Sequence, residues 1–276
     1  MRDFTPDTLR YLFSALISEG YTFMTVAGYL RYQGDKCVIL RHDVDARPMN
    51  ALECARMEKK MGITGTYYFR IKPGSFDETV INEIHNLGHE IGYHYEDLAA
   101  ARGDYEKAIG LFEQNLAKLR RLVPVETICM HGSPLTKYDN RKLWKKYDYR
   151  DFGIRGEPYL DIDYREVQYL TDTGRCWDGE RFSLRDMVKP GQRLTSREKV
   201  PQDKDYFKAV EKSMHSTFDI ITALEKNLMP SVLLITIHPQ RWNSRLMPWI
   251  TELVLQNGKN VVKGIITRSG RSEEGQ

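Results

Sequence analysis

Strand-like and helix-like patterns alternate along most of this chain, and several of the strands end in acidic or histidine residues. The sharpest case is the run Val38-Ile39-Leu40-Arg41-His42-Asp43-Val44-Asp45, an apolar strand leading into two carboxylates spaced two apart. Side chains at i and i+2 of a strand point the same way, so Asp43 and Asp45 share a face. Two like charges at a buried strand end are costly unless a cation sits between them, and a metal ion is the simplest such cation. The plainer reading is a polar strand end with turn-forming aspartates. The octapeptide leaves both open.

In chain order, Thr5 and Pro6 start a helix striped by Leu9, Leu12, Phe13, Leu16 and Ile17, and Gly20 stops it. Residues 21–30 form a short second element ahead of the strand at 38–45. Pro48 opens a helix closed by Gly62, and 64–71 reads as a strand. Val80, Ile81, Ile84 and Leu87 stripe a helix, 89–94 is a strand, and 105–122 is a helix. Further strands are expected at 126–130, 151–156, 167–171, 231–237 and 261–266, and further helices at 140–147, 206–228 and 246–255. Residues 189–205 are loop-like, and a polar tail from Ser269 is disordered.

This alternation is the signature of an α/β fold with a parallel sheet covered by helices. A barrel suits it better than an open sheet, because polar clusters close several well-separated strands. The expected organisation is an N-terminal helical segment at 1–36 packed on a barrel at 37–268, with the tail at 269–276.

At 276 residues the chain fits one large domain as well as two small ones. Its 41% apolar content suits a globular protein, and no composition break marks a second domain. The net charge of +3 is modest and the signs are interspersed, apart from a basic stretch at 137–150, so no nucleic-acid partner is expected. No apolar run reaches the roughly 18–20 residues of a membrane span. Ser14, Ser18 and Glu19 interrupt any signal-peptide core, which points to a cytoplasmic protein. Cys37, Cys54, Cys129 and Cys176 form no C-x-x-C pair and read as ordinary buried thiols. Dinucleotide and P-loop fingerprints are absent.

The strand-end candidates are Asp43, Asp45, His94, His131, Asp172 and His238. An Asp, a His and one further donor make a common set for a divalent ion at a hydrolytic site, which makes His94 a candidate ligand. His238 ends the apolar run 234–237 and can protonate a leaving group. His131, before Gly132, either ligates or shapes a turn. His42 points to the opposite face from Asp43 and reads as structural, and His89 as a brace for the site. His85 and His215 flank helical stripes. Glu96 and Asp97 are ligand candidates or helix caps. Trp177 and Trp242 suit sugar faces or plain packing.

Three runs carry a resemblance: Leu40-Arg41-His42-Asp43-Val44-Asp45, Gly88-His89-Glu90-Ile91-Gly92-Tyr93-His94, and Ile235-Thr236-Ile237-His238-Pro239. In that order they resemble the first, second and last motifs of the polysaccharide deacetylase (NodB-type, carbohydrate esterase) family, spanning roughly residues 38–240. The resemblance implies a distorted (β/α)7-type barrel, a divalent metal (commonly zinc) and removal of an acetyl group from the amide nitrogen of an amino sugar. It assigns Asp43 as catalytic base, Asp45 and His94 as metal ligands, and His238 as catalytic acid. Asp172 and Trp177 loosely match a fourth motif that steers these groups and lines the pocket.

There are departures. Leu98 stands where the second metal histidine belongs, and residues 131–134 replace an arginine-proline motif. Three outcomes are then open: His131, Glu96 or Asp97 completes the ligand set, Asp45 and His94 hold the metal more weakly with more water, or the barrel is kept and the chemistry lost. The reading is a metal-dependent amide hydrolase acting on a carbohydrate, such as a nucleotide- or lipid-linked sugar intermediate. The alternative is an inactive barrel that binds a glycan or a protein partner. A sugar isomerase explains the strand-end acids but not the Gly-His-Glu-Ile-Gly-Tyr-His run.

Overall fold

The computed structural model describes residues 1–132, 136–177 and 214–271, the stretch from 259 as backbone only. Its centre is an all-parallel, seven-stranded sheet. The strands are β1 (Thr22–Met24), β2 (Cys37–Val44), β3 (Thr66–Phe69), β4 (Glu90–Tyr95), β5 (Ile128–Met130), β6 (Gln168–Thr171) and β7 (Val232–Ile237). Their order is β5-β4-β3-β2-β7-β6, and β1 pairs with the first residues of β2. The helices are α1 (Pro6–Ser18), α2 (Val26–Arg31), α3 (Pro48–Lys60), α4 (Glu78–Asn86), α5 (Asp97–Ala100), α6 (Tyr105–Arg120), α7 (Pro158–Asp161), α8 (Thr217–Glu225) and α9 (Leu246–Arg271). Among the described residues, no helix is long and apolar enough to cross a membrane.

Strand β2 is central and wholly buried, which explains its near-continuous apolar start. Val38 and Leu40 pack outward into a cluster with Leu9, Leu12 and Phe13 of α1 and Ile220 and Leu224 of α8. Cys37 and Ile39 belong to a second cluster, with Tyr68, Tyr93 and Tyr159. The same alternation carries Arg41 and Asp43 onto the inner face.

The sheet is curled into an open barrel. Its end strands β5 and β6 do not pair among the described residues. Aromatic residues after β5 fill the gap: Tyr159 and Tyr164 lie 6.4 and 5.9 Å from Tyr169 of β6. Arg41 Nη2 reaches in from β2 to donate to the Tyr159 hydroxyl at 3.2 Å. Residues from three separate parts of the sheet thus meet in one interior.

Several local expectations are corrected. Residues 151–156 are no strand: Tyr149–Phe152 is a 3₁₀ turn, started by Asp148 accepting from Arg150 N–H and ended by Gly153 at φ 68°. Only Gly156 makes an isolated bridge, to Thr127. The 3₁₀ form also replaces a regular helix at Asn140–Lys145. Residues 261–266 are helical, not a strand, and the helix runs through Arg271, past the start of the expected disordered tail. Val261, Val262, Ile265 and Ile266 fit helical spacing as well as a strand run, and a helix already propagating from Leu246 extends at little cost. The helix expected from 206 begins at Thr217 in the described residues, where Ser216 and Asp219 form a capping box. The expectations for 178–213, including the loop at 189–205, lie outside the described residues, as do Ser133 and Pro134.

Candidate active site and metal centre

The carboxyl ends of β2, β4, β5 and β7 bring one cluster together at the barrel mouth. Strand geometry puts Asp43 and Asp45 on one side: His94 Nε2 lies 3.6 Å from Asp43 Oδ2 and 3.6 Å from Asp45 Oδ1. From the next strand, His131 Nε2 lies 3.5 Å from Asp45 Oδ1. From the other side of β2, His238 Nε2 lies 4.0 Å from Asp45 Oδ2. The ends of three other strands therefore surround the Asp45 carboxylate.

Each histidine is oriented by its other nitrogen. His94 Nδ1 lies 2.9 Å from the Cys129 carbonyl, so it carries the proton and Nε2 keeps a lone pair facing the aspartates. Burial pushes His94 down to about 4, so its ring is neutral at pH 7, the form that ligates metals. His131 Nδ1 is 3.3 Å from Glu96 Oε2. Burial alone lowers the His131 pKa, but Asp45 and Glu96 outweigh it and the net shift is upward. His238 Nδ1 sits 2.5 Å from Asp172 Oδ1, which leaves Nε2 toward Asp45.

Asp172 is fully buried and collects four donors. It accepts from the His238 backbone N–H (2.9 Å) and ring Nδ1 (2.5 Å), from Arg241 Nη1 (2.7 Å) and from Trp242 Nε1 (2.8 Å). Burial alone would raise its pKa, but its contacts with His238 and Arg241 hold it below the usual carboxylate range. The carboxylate is a fixed anchor for the His238 ring.

Arg41, a residue that sequence reasoning missed, forks Asp43 through Nε–Oδ1 at 2.8 Å and Nη2–Oδ2 at 2.6 Å. Burial would raise the Asp43 pKa; Arg41 first, then His94, reverse this and hold it well below the usual range. The signal was in the spacing: Arg41 stands two residues before Asp43 and so shares its face. Gln240 was also missed; its Nε2 donates to Asp45 Oδ2 at 3.3 Å.

The other candidates are placed elsewhere. His42 Nε2 faces Glu58 Oε1 of α3 at 2.8 Å, and its ring stacks on Tyr67 at 4.0 Å. His89 Nδ1 accepts from Gly65 N–H at 3.2 Å, and its Nε2 meets the Ala55 carbonyl at 3.1 Å, tying α3 to the sheet. Glu96 stands behind His131 and is held by Arg70 and Lys72. Asp97 is buried against Tyr93 and Asn115, and burial raises it to about 6. Leu98 packs in the core beneath. Trp177 is 1% exposed and donates to Thr217 Oγ1 at 3.0 Å.

Two donor sets overlap on His94. Atoms of Asp43, His94 and Cys129 lie within 4.8 Å of one another, a possible metal site. Both oxygens of Asp43 are already taken by Arg41 there, however. Asp45 Oδ1 is buried with no hydrogen-bond partner, and the Nε2 atoms of His94 and His131 both approach it. One carboxylate and two imidazoles are donor types that divalent cations take, and His94 is backed by the Cys129 carbonyl.

No family model and no curated protein matches the chain. Among solved structures, it is similar to carbohydrate esterase domains. One is the Xyl-CE4 domain of a multidomain xylanase from the hindgut metagenome of Trinervitermes trinervoides, at 13% identity and a TM-score of 0.37, covering 82% of this chain and 85% of that one. Another is Bacillus subtilis PdaA, a family 4 carbohydrate esterase, at 12% identity and a TM-score of 0.34, covering 89% and 84%. Both likenesses are low in identity and in TM-score.

Proposed function

We propose that the chain is a metal-dependent hydrolase that removes an N-acetyl group from an amino sugar. The observation that carries this reading is the ring of His94, His131 and His238 around the Asp43–Asp45 pair, with Asp45 Oδ1 unpartnered. Asp45, His94 and His131 would hold the cation, His131 standing in for the histidine that Leu98 displaces. A divalent cation there supplies Lewis acidity, polarising the acyl carbonyl and easing deprotonation of water.

The chain's own groups do the rest. Asp43 orients the attacking water and takes its proton. The Arg41 fork keeps Asp43 ionised at neutral pH, which costs it basicity but fixes its direction. Water adds to the carbonyl carbon, and the tetrahedral adduct collapses by breaking the C–N bond. His238 Nε2 donates the proton that lets nitrogen leave as an amine, and Asp172 steadies the ring as its charge changes. The products are acetate and the free amino sugar.

The test is acetate release from N-acetylated and O-acetylated sugars by the full chain, stripped with chelator and then given zinc, manganese, cobalt or nickel. The reading expects turnover only with metal, and at least about a hundredfold loss in Asp43→Asn. Stoichiometric metal with no acetate from any substrate would contradict it.

A further inference from the structure

A cavity of about 550 Å³ opens beside the barrel mouth, between the start of α3 and the start of α9. Its wall includes Arg47, Asn50, Glu53, Trp242, Arg245 and Met247. Two of its sides grow directly out of the candidate site. Arg47 follows Asp45 by two residues, and Trp242, whose indole N–H binds Asp172, follows His238 by four. Asn50 locks the two sides together, its Nδ2 reaching the carbonyls of Pro239 and Trp242 and Asn243 Oδ1 at 3.2–3.3 Å.

Both arginines are exposed, and neither forms an ion pair with a described residue. Among the described residues Glu53 is the one acidic group in the wall, against two arginines, so the described wall is net cationic. This is unusual for this chain, whose other mouth-side arginines are committed: Arg41 to Asp43, Arg70 to Glu96 and Arg241 to Asp172. The thirteen-residue helix α3 adds the positive end of its dipole, and Arg47, its N-cap, makes no side-chain cap bond.

We infer that this cavity binds the phosphate or diphosphate group of the sugar substrate, with Arg47 and Arg245 as its ligands. The inference rests on the proposed hydrolase reading and deepens it. Arg47 stands two residues from Asp45, and Trp242 joins the cavity wall to Asp172, so the cationic wall and the acyl-cleaving centre are built on the same two chain segments. Guanidinium forks match phosphate oxygens in pairs, where a neutral glycan would leave both arginines unused. The group has two chemical sources, a nucleotide and a lipid. Met247 in the wall and Met49 and Leu246 beside the two arginines in sequence are 70%, 53% and 54% exposed, surface that a hydrocarbon tail would cover.

The test uses the full chain without added metal. Calorimetric titrations with inorganic pyrophosphate, uridine diphosphate and geranyl diphosphate are run on wild type, Arg47→Gln and Arg245→Gln. The expected result is saturable binding weakened about tenfold or more in each variant, as loss of one charge-assisted pair implies. Tighter binding of uridine diphosphate or of geranyl diphosphate than of pyrophosphate identifies the source. No binding, or binding equal in all three proteins, overturns the inference. Turnover separates the two readings. If a neutral N-acetyl sugar is cleaved as efficiently as its 1-phosphate, the hydrolase stands and the phosphate site falls. If neither is cleaved but pyrophosphate binding depends on the arginines, the site stands and the hydrolase falls.

Discussion

Arg41 and Asp43 stand two residues apart on β2 and form a two-pronged ion pair, with side-chain exposures of 0% and 6%. The fork decides what each can do. Removing the arginine strands a buried carboxylate, so Arg41→Met is expected to lose about 3–5 kcal/mol of stability in urea denaturation. Arg41→Met combined with Asp43→Leu, which removes both charges, should recover most of that loss while remaining inactive. An unchanged unfolding midpoint in the single variant would contradict the pairing.

The clamp on His238 predicts a different pattern. Asp172→Asn keeps the shape but weakens the hold on the ring, and should lower kcat by about 10²- to 10⁴-fold with little change in KM. Steady-state kinetics on the substrate found by acetate release read this directly. A KM effect alone would place Asp172 in binding rather than in proton transfer.

Gly92 is a packing requirement next to the site. A Cβ there would lie 2.2 Å from Tyr68 Cε1 and 3.0 Å from the Thr127 carbonyl oxygen. The Tyr68 hydroxyl is itself tied to Thr127 Oγ1 at 2.8 Å, so the ring has little room to move. Gly92→Ala is therefore expected to cost about 1–3 kcal/mol and to shift His94, two residues on. The readouts are thermal unfolding and metal affinity.

Glu157 gives a pH signature. It is buried, accepts from the Met130 and Leu160 backbone N–H groups at 3.0 and 3.1 Å, and burial pushes it up to about 7. A raised carboxyl pKa favours the folded state fully at acid pH. The benefit fades as pH climbs from the ordinary value of 4.5 to about 7. Wild type should therefore lose more stability than Glu157→Gln between those limits, by at most about 1.4 kcal/mol per pH unit. Parallel stability curves for the two proteins would contradict the assignment.

The parallel fold was legible because β2 and β7 are long apolar runs, and because Asp43/Asp45 and His238 announce where they end. The i, i+2 rule placed the two aspartates together, and the same rule also held Arg41, left unread beside them. What sequence could not show was distance across the sheet. His131 and His94 meet Asp45 only because β4 and β5 are neighbours, and Asp172 reaches His238 only because β6 lies against β7. The strands assigned to 151–156 and 261–266 failed where short β-branched or aromatic runs carry no period long enough to separate strand from helix.

The most direct test is anomalous scattering from crystals of the full chain grown with zinc and no chelator. The account expects one strong peak bonded to Asp45, His94 and His131, present in Asp43→Asn and absent in Asp45→Ala. A peak seated instead among Asp43, His94 and Cys129, or none at saturating zinc, would contradict it.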